Sequence, residues 1–235
     1  MTEETENSLA VLDQYTASFT NGFSATVFRL GGVPYFAIRG SNDLADFAIA
    51  DLFGITAQGA ARAQAVEMYR YWRRLTTPLG EQVNYSQAEL KYLAGVLLPS
   101  LIPLTIVSSA SSLIAAAVAD RGLGVLPPDA QVIVTGHSLG GHLAQLFYQM
   151  FPLSVSPVYT YNGAGVGGAA YELAERLLRL IGRSADVPVA GITNVIAEHG
   201  FNLTAGFGRF LGETHRVFNE KSVLPWENHF IDKLT

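Results

Sequence analysis

The segment Gly136-His137-Ser138-Leu139-Gly140 sets one serine between two glycines where two patterns meet. Gln131 to Thr135, apolar or β-branched from Val132 on, reads as a short buried strand. A helical pattern follows over 139–150 and stops before Pro152. A strand, Gly-x-Ser-x-Gly and a helix in that order form the sequence of a nucleophile elbow. The turn is tight and strained, so small residues must flank the serine, and Gly136 and Gly140 supply them. The serine is then pushed out at the C-terminal edge of the sheet. The helix start offers free N–H groups and a positive dipole end, so the N–H of Leu139 is placed to stabilise an oxyanion. His137 belongs to the turn and points elsewhere. His142 lies one helical turn on, beneath or beside the elbow. Both read as packing histidines rather than as the base.

Around this motif, residues 23–30 and 33–40 read as two strands joined by the hairpin signal Gly31-Gly32. Residues 43–54 read as a loop or short helix. Residues 58–75 form a long amphipathic pattern ended by Thr76-Thr77-Pro78. Strand, then Gly-rich loop, is the reading of 156–165. A helix follows over 169–181, a strand over 189–198, and short strands near 214–218. Strands alternating with helices predict parallel crossovers and a mostly parallel sheet flanked by helices.

The chain has 235 residues, 49% of them hydrophobic and 15% charged, which fits a single globular domain over 1–235. A net charge of -5 and no basic cluster argue against nucleic acid as a partner. No cysteine is present, which excludes disulfides, thiolate zinc sites and a cysteine nucleophile. The opening "MTEETENSLA" lacks the basic and apolar regions of a cleavable signal peptide, leaving a cytoplasmic location or export by another route. Residues 85–124 interrupt the alternation. Their middle, 97–119, is almost uncharged, but Pro99, Pro103 and five serines break the pattern of a membrane span. A buried helical hairpin and a lid with an apolar underside are the two readings of this insertion.

Several stretches resemble the α/β-hydrolase fold, and within it the class 3 lipases and the lipase domains of large bacterial lipases. "YFAIRGSNDLADFAIADL" is similar to that family's strand ending in Arg-Gly-Thr/Ser. "VIVTGHSLGGHLAQLF" is similar to its elbow, and "VYTYNGAGVG" to its next strand and loop. "ITNVIAEHG" stands where its acid-bearing strand would, and "ENHFIDKL" resembles the histidine-bearing end of the bacterial domains. The resemblance implies a triad of Ser138, His229 and an acid, with Ser41 as the second oxyanion donor beside Leu139. In this fold the acid follows the serine and precedes the histidine. Asp186 precedes its strand and falls at the wrong edge of the sheet. Glu198 ends that strand at the edge of Ser138, although the family's usual acid is aspartate. Glu213, Asn202 and Asp186 remain alternatives to it, and His215 remains an alternative to His229.

These readings imply a serine hydrolase that cleaves carboxylic esters of lipids through an acyl-enzyme, as a lipase or phospholipase. No metal or organic cofactor is expected. The insertion is expected to act as an apolar helical lid that touches a lipid surface transiently, and two chains could pair through it. The alternatives are a short-chain carboxylesterase with the insertion permanently packed, and an inactive membrane-binding module. The sequence ends soon after His229 on what reads as the start of a helix, which leaves a longer parent protein open.

Overall fold

A computed structural model of the chain describes residues 8–17, 22–39, 55–96, 115, 117–166, 189–198 and 209–218. Its centre is a seven-stranded sheet whose spatial order follows the sequence: β1 (Leu9–Thr16), β2 (Ser24–Leu30), β3 (Val33–Arg39), β4 (Val132–His137), β5 (Val155–Tyr161), β6 (Ile192–Ala197) and β7 (Glu213–Val217). The first three strands pair antiparallel and every later pair is parallel. Gly31 and Gly32, with φ of 56° and 83°, make the two-residue turn between β2 and β3. A turn with both central residues at positive φ matches the twist of the strands it joins.

Three helices belong to the described residues: α1 (Ile55–Leu75), α2 (Gln87–Val96) and α3 (Leu139–Met150). α3 packs on β3, β4, β5 and α1. Successive right-handed crossovers to the next strand put such helices on one face of the sheet. That face carries the core. A row running across five strands, Val27, Phe36, Val134, Val158 and Ile192, is fully buried. Phe36 meets Phe147 of α3 at 5.0 Å between ring centroids, and Trp72 of α1 meets Phe147 edge-on at 4.9 Å. The next row toward the C-terminal edge is smaller and more polar: Ala25, Ile38, Gly136, Thr160 and Asn194. Apolar bulk thus lies at mid-strand, and chemistry-bearing residues stand at the edge.

β1 was not expected from the sequence. Its pairing with β2 shifts register between Val11 and Asp13, and this bulge breaks the period-two alternation that would have revealed it. Most of 97–119, and the expected elements at 43–54 and 169–181, lie outside the described residues. Among the described residues no helix is long and apolar enough to cross a membrane.

Both ends of the insertion are fastened to α1. On the incoming side Ser86 and Glu89 form a capping box at the start of α2, with Ser86 N donating to Glu89 Oε2 at 2.6 Å and Glu89 N to Ser86 Oγ at 3.1 Å. Glu89 also accepts from Tyr69 and pairs with Arg73. On the outgoing side Arg70 grips Asp120 through Nε and Nη2, both at 2.9 Å, and Tyr85 donates to Asp120 Oδ2 at 2.9 Å. Burial of these groups is tolerable because each charge has a partner and several hydrogen bonds.

Candidate active site

At the end of β4 the backbone must reverse into α3 within two residues. Ser138 does so at φ 58°, ψ -125°, a conformation that costs a non-glycine residue about 1–3 kcal/mol. Its neighbours hold it there. Ser138 N donates to Tyr161 O of β5 at 3.1 Å, and Ser138 O accepts from Gly141 N at 3.0 Å. Close approach explains the glycines. A Cβ on Gly136 would stand 2.2 Å from the Gly140 carbonyl oxygen, and one on Gly141 would stand 2.8 Å from Gly163 Cα. Strand end, helix start and the loop after β5 therefore touch through bare backbone.

The Ser138 side chain is fully buried, and among the described residues its Oγ has no hydrogen-bond partner. Leu139 opens α3, so its N–H lies in the first turn, where no intrahelical acceptor exists. A hydroxyl without a partner beside a helix N-terminus suits a nucleophile whose product is an oxyanion.

His137 is the last residue of β4 and half-buried; alternation with buried Val134 and Gly136 turns it away from the helix layer. His142 is buried, with Nδ1 2.9 Å from Gly165 O. A carbonyl only accepts, so the proton sits on Nδ1. Burial pushes the His142 pKa down, and the Gly165 hydrogen bond only partly opposes this. His142 is thus a neutral packing residue that ties the loop after β5 to α3.

Glu198 follows β6 directly, is exposed, and donates its main-chain N–H to Val217 O at 2.9 Å. The register row His137, Tyr161, Val195, His215 places Glu198 at the same C-terminal edge as Ser138, two strands away. Two strand spacings are roughly 10 Å, enough to seat one imidazole between serine and carboxylate. His215 and Glu213 form an exposed pair of their own at 3.3 Å on β7. Ser41, His229, Asp186 and Asn202 lie outside the described residues. Among the described residues no three His, Asp or Glu side chains gather where they could hold a metal ion.

A set of buried amides around the elbow was missed from the sequence. Gln145 of α3 donates to Ala164 O at 3.0 Å and accepts from Leu211 N at 3.0 Å. Asn194 of β6 accepts from Thr160 Oγ1 at 2.7 Å and donates to Leu211 O at 2.7 Å. Asn162, at φ 44°, accepts from Ala197 N at 2.9 Å. Polar residues inside apolar runs, such as Gln145 between Ala144 and Leu146, were the available signal.

The family described as Lipase (class 3) matches residues 35–174, more than half of the chain, a span that holds most of β3 and all of α1, the elbow, α3 and β5. The chain has no significant match among curated proteins. Among solved structures it is similar to the Lip2 lipase from Yarrowia lipolytica, with 18% identity, covering 89% of this chain and 68% of that one at a TM-score of 0.40. With that match over its elbow and flanking elements, this chain belongs to the class 3 lipase family and is a carboxylic ester hydrolase of α/β-hydrolase type.

Proposed function

We propose that the protein hydrolyses lipid acyl esters through Ser138, His229 and Glu198. The observation that carries this reading is the Oγ of Ser138, buried and without a partner among the described residues, on a strained elbow at the start of α3. His229 takes the Ser138 proton as Oγ attacks the ester carbonyl. The N–H groups of Leu139 and Ser41 hold the tetrahedral oxyanion. His229 then passes the proton to the leaving alcohol. Water repeats the sequence on the acyl-enzyme, releasing the acid and restoring the serine. Glu198 keeps the imidazole in the required tautomer and stabilises its charged form. Gly136, His137 and Gly140 build the elbow, within one domain spanning 1–235.

In this reading the insertion 85–124 is an apolar lid. Complete burial of Ser138 supports a cover that must move before a substrate enters. Exposing apolar surface to water costs roughly 25 cal/mol per Å², so on the order of 400 Å² would cost about 10 kcal/mol. A lipid surface covers that area and favours the open form. A second reading, a short-chain esterase with the insertion permanently packed, is favoured by the anchoring of both its ends through Arg70–Asp120 and Arg73–Glu89.

Hydrolysis of p-nitrophenyl esters from short to long acyl chains, with and without a lipid interface, tests this. Long-chain activity that rises at the interface and is lost in Ser138→Ala is expected. Short-chain activity indifferent to the interface would establish the second reading. Undiminished activity in Ser138→Ala would overturn both.

A further inference from the structure

β5 and β6 run parallel, and their ladder continues past the point where β5 ends. In a parallel ladder, the residue whose N–H reaches one carbonyl uses its own carbonyl to accept the N–H two residues further along. Asn162 N donates to Val195 O at 2.8 Å, so the next rung should join Asn162 O to Ala197 N. The main chain cannot supply it. At φ 44° Asn162 has left the strand to enter the loop after β5. Its side chain supplies the rung instead, with Ala197 N donating to Asn162 Oδ1 at 2.9 Å. Few residues meet both demands. Glycine takes positive φ easily but has no acceptor, whereas asparagine tolerates that region and carries a carbonyl at the right length.

What this rung touches gives it a consequence. On one side, Tyr161 O accepts the N–H of Ser138. On the other, Ala197 precedes Glu198, whose own N–H is held by Val217 O. Residues 161–162 therefore stand between the nucleophile and the end of the acid-bearing strand. Asn162 is itself fully buried, so water cannot readily take over the acceptor.

We infer that Asn162 is a positioning residue for the triad acid: by replacing the missing main-chain rung it fixes Ala197, and with it the backbone of Glu198, relative to Ser138. This rests on the assignment of Glu198 as the acid. Among the described residues, loss of the rung leaves Glu198 held from the β7 side alone. The carboxylate then drifts, and the histidine it orients loses both alignment and charge stabilisation. A carboxylate close to an imidazolium raises its pKa, so loosening that carboxylate lowers it.

The test uses the full chain and a soluble p-nitrophenyl ester. Wild type, Asn162→Gly, Asn162→Asp, Glu198→Gln, the double variant Asn162→Gly/Glu198→Gln and Ser138→Ala are compared by kcat, KM, pH profile and Tm. Asn162→Gly keeps the backbone conformation and removes the acceptor. Its kcat should fall roughly 10- to 100-fold, the range expected for an ångström-scale misplacement, with KM within about twofold. The acidic limb of its kcat/KM profile, which reports the free enzyme's base, should move to lower pH. Asn162→Asp retains an acceptor oxygen in either protonation state and should recover most of the loss. In the Glu198→Gln background, Asn162→Gly should add less than about twofold, since both changes disable one group. A merely structural role would lower Tm but leave the acidic limb in place. Multiplying losses in the double variant, or an unmoved limb, would overturn the role given to Asn162 and leave Glu198 standing. Wild-type activity in Glu198→Gln would overturn the acid assignment and the proposal together. Should Asn162→Gly fail to fold, Asn162→Ser, whose hydroxyl falls short of Ala197, carries the same test with the same refuting outcome.

Discussion

Replacing Gly136 by alanine puts one methyl group where the elbow has no room. The added Cβ would stand 2.2 Å from the Gly140 carbonyl oxygen and 2.4 Å from its carbon. Ordinary contacts begin above 3 Å, so β4 and the first turn of α3 must separate by about 1 Å. Neither side yields easily. Gly136 pairs within the sheet between Ile38 and Thr160, and Gly141, next to Gly140, is pressed against Gly163. Overpacking of this kind costs typically 1–3 kcal/mol and more where backbone meets backbone. For a chain of this length each kcal/mol lowers Tm by roughly 2–4 °C, so a fall of about 2–12 °C is expected. Activity should suffer beyond stability. The same displacement moves Ser138 against Leu139, and a 1 Å misplacement of reacting groups costs about 10²-fold in kcat/KM. Gly32→Ala is the control. Its φ of +83° makes alanine strained, but nothing lies within 4 Å of the new methyl. It should lower Tm by a few degrees and leave kcat/KM unchanged. Thermal unfolding by circular dichroism and ester hydrolysis well below Tm separate the two effects. Wild-type Tm and kcat/KM in Gly136→Ala would refute the argument that bare backbone contact builds the elbow.

Other expectations follow from the same contacts. Ser138→Ala deletes a buried hydroxyl without a partner among the described residues and should raise Tm by about 2–6 °C while abolishing ester hydrolysis; an unchanged or lower Tm would count against that picture. Asp120→Ala leaves the largely buried Arg70 guanidinium with Glu67 alone and takes the acceptor from the Tyr85 hydroxyl; it should cost about 3 kcal/mol, read as a Tm lower by roughly 6–12 °C. His142 is held neutral in the fold, its pKa pushed down by burial, whereas the unfolded chain takes up a proton near the ordinary histidine value. Its contribution is therefore complete above about pH 6.5 and lost as pH falls below that, and denaturant titrations from pH 8 to 5 should show a slope that is reduced in His142→Gln.

The elbow was legible in the sequence because everything that makes it is local. Gly136, Ser138 and Gly140 lie within five residues, and the strand before and helix after differ in period. The hairpin at Gly31-Gly32 and the end of α1 at Thr76-Thr77 were legible for the same reason. At the latter, each threonine hydroxyl donates to the carbonyl four residues back, to Trp72 O at 3.0 Å and Arg73 O at 2.7 Å, before Pro78 ends the helix. β4 extends to His137 rather than stopping at Thr135, since its pairing with β5 carries the strand up to the turn. β1 was hidden by its bulge. The fastening of the insertion was hidden too, because Arg70 and Asp120 stand fifty residues apart and neither spacing nor composition joins them.

The buried polar residues show where local reading stops. Asn162 followed by Gly163 is a turn signal, and it stands directly after the last residue of β5. A turn signal says that the chain bends; it does not say what the side chain does once the chain has bent. That depends on which strand lies alongside, and β6 arrives thirty-five residues later to place Ala197 N against Asn162 Oδ1. Gln145 is the same case: on α3 it is a polar interruption of an apolar face, and its partners, Ala164 O and Leu211 N, come nineteen and sixty-six residues later. Each group substitutes for main chain, filling a hydrogen bond that the sheet or loop leaves open at its C-terminal edge. A fold that holds its nucleophile at this edge must end its strands there, and each ended strand leaves carbonyls and amides to be satisfied. The amides gathered around Ser138 are the consequence of building a site where the sheet stops.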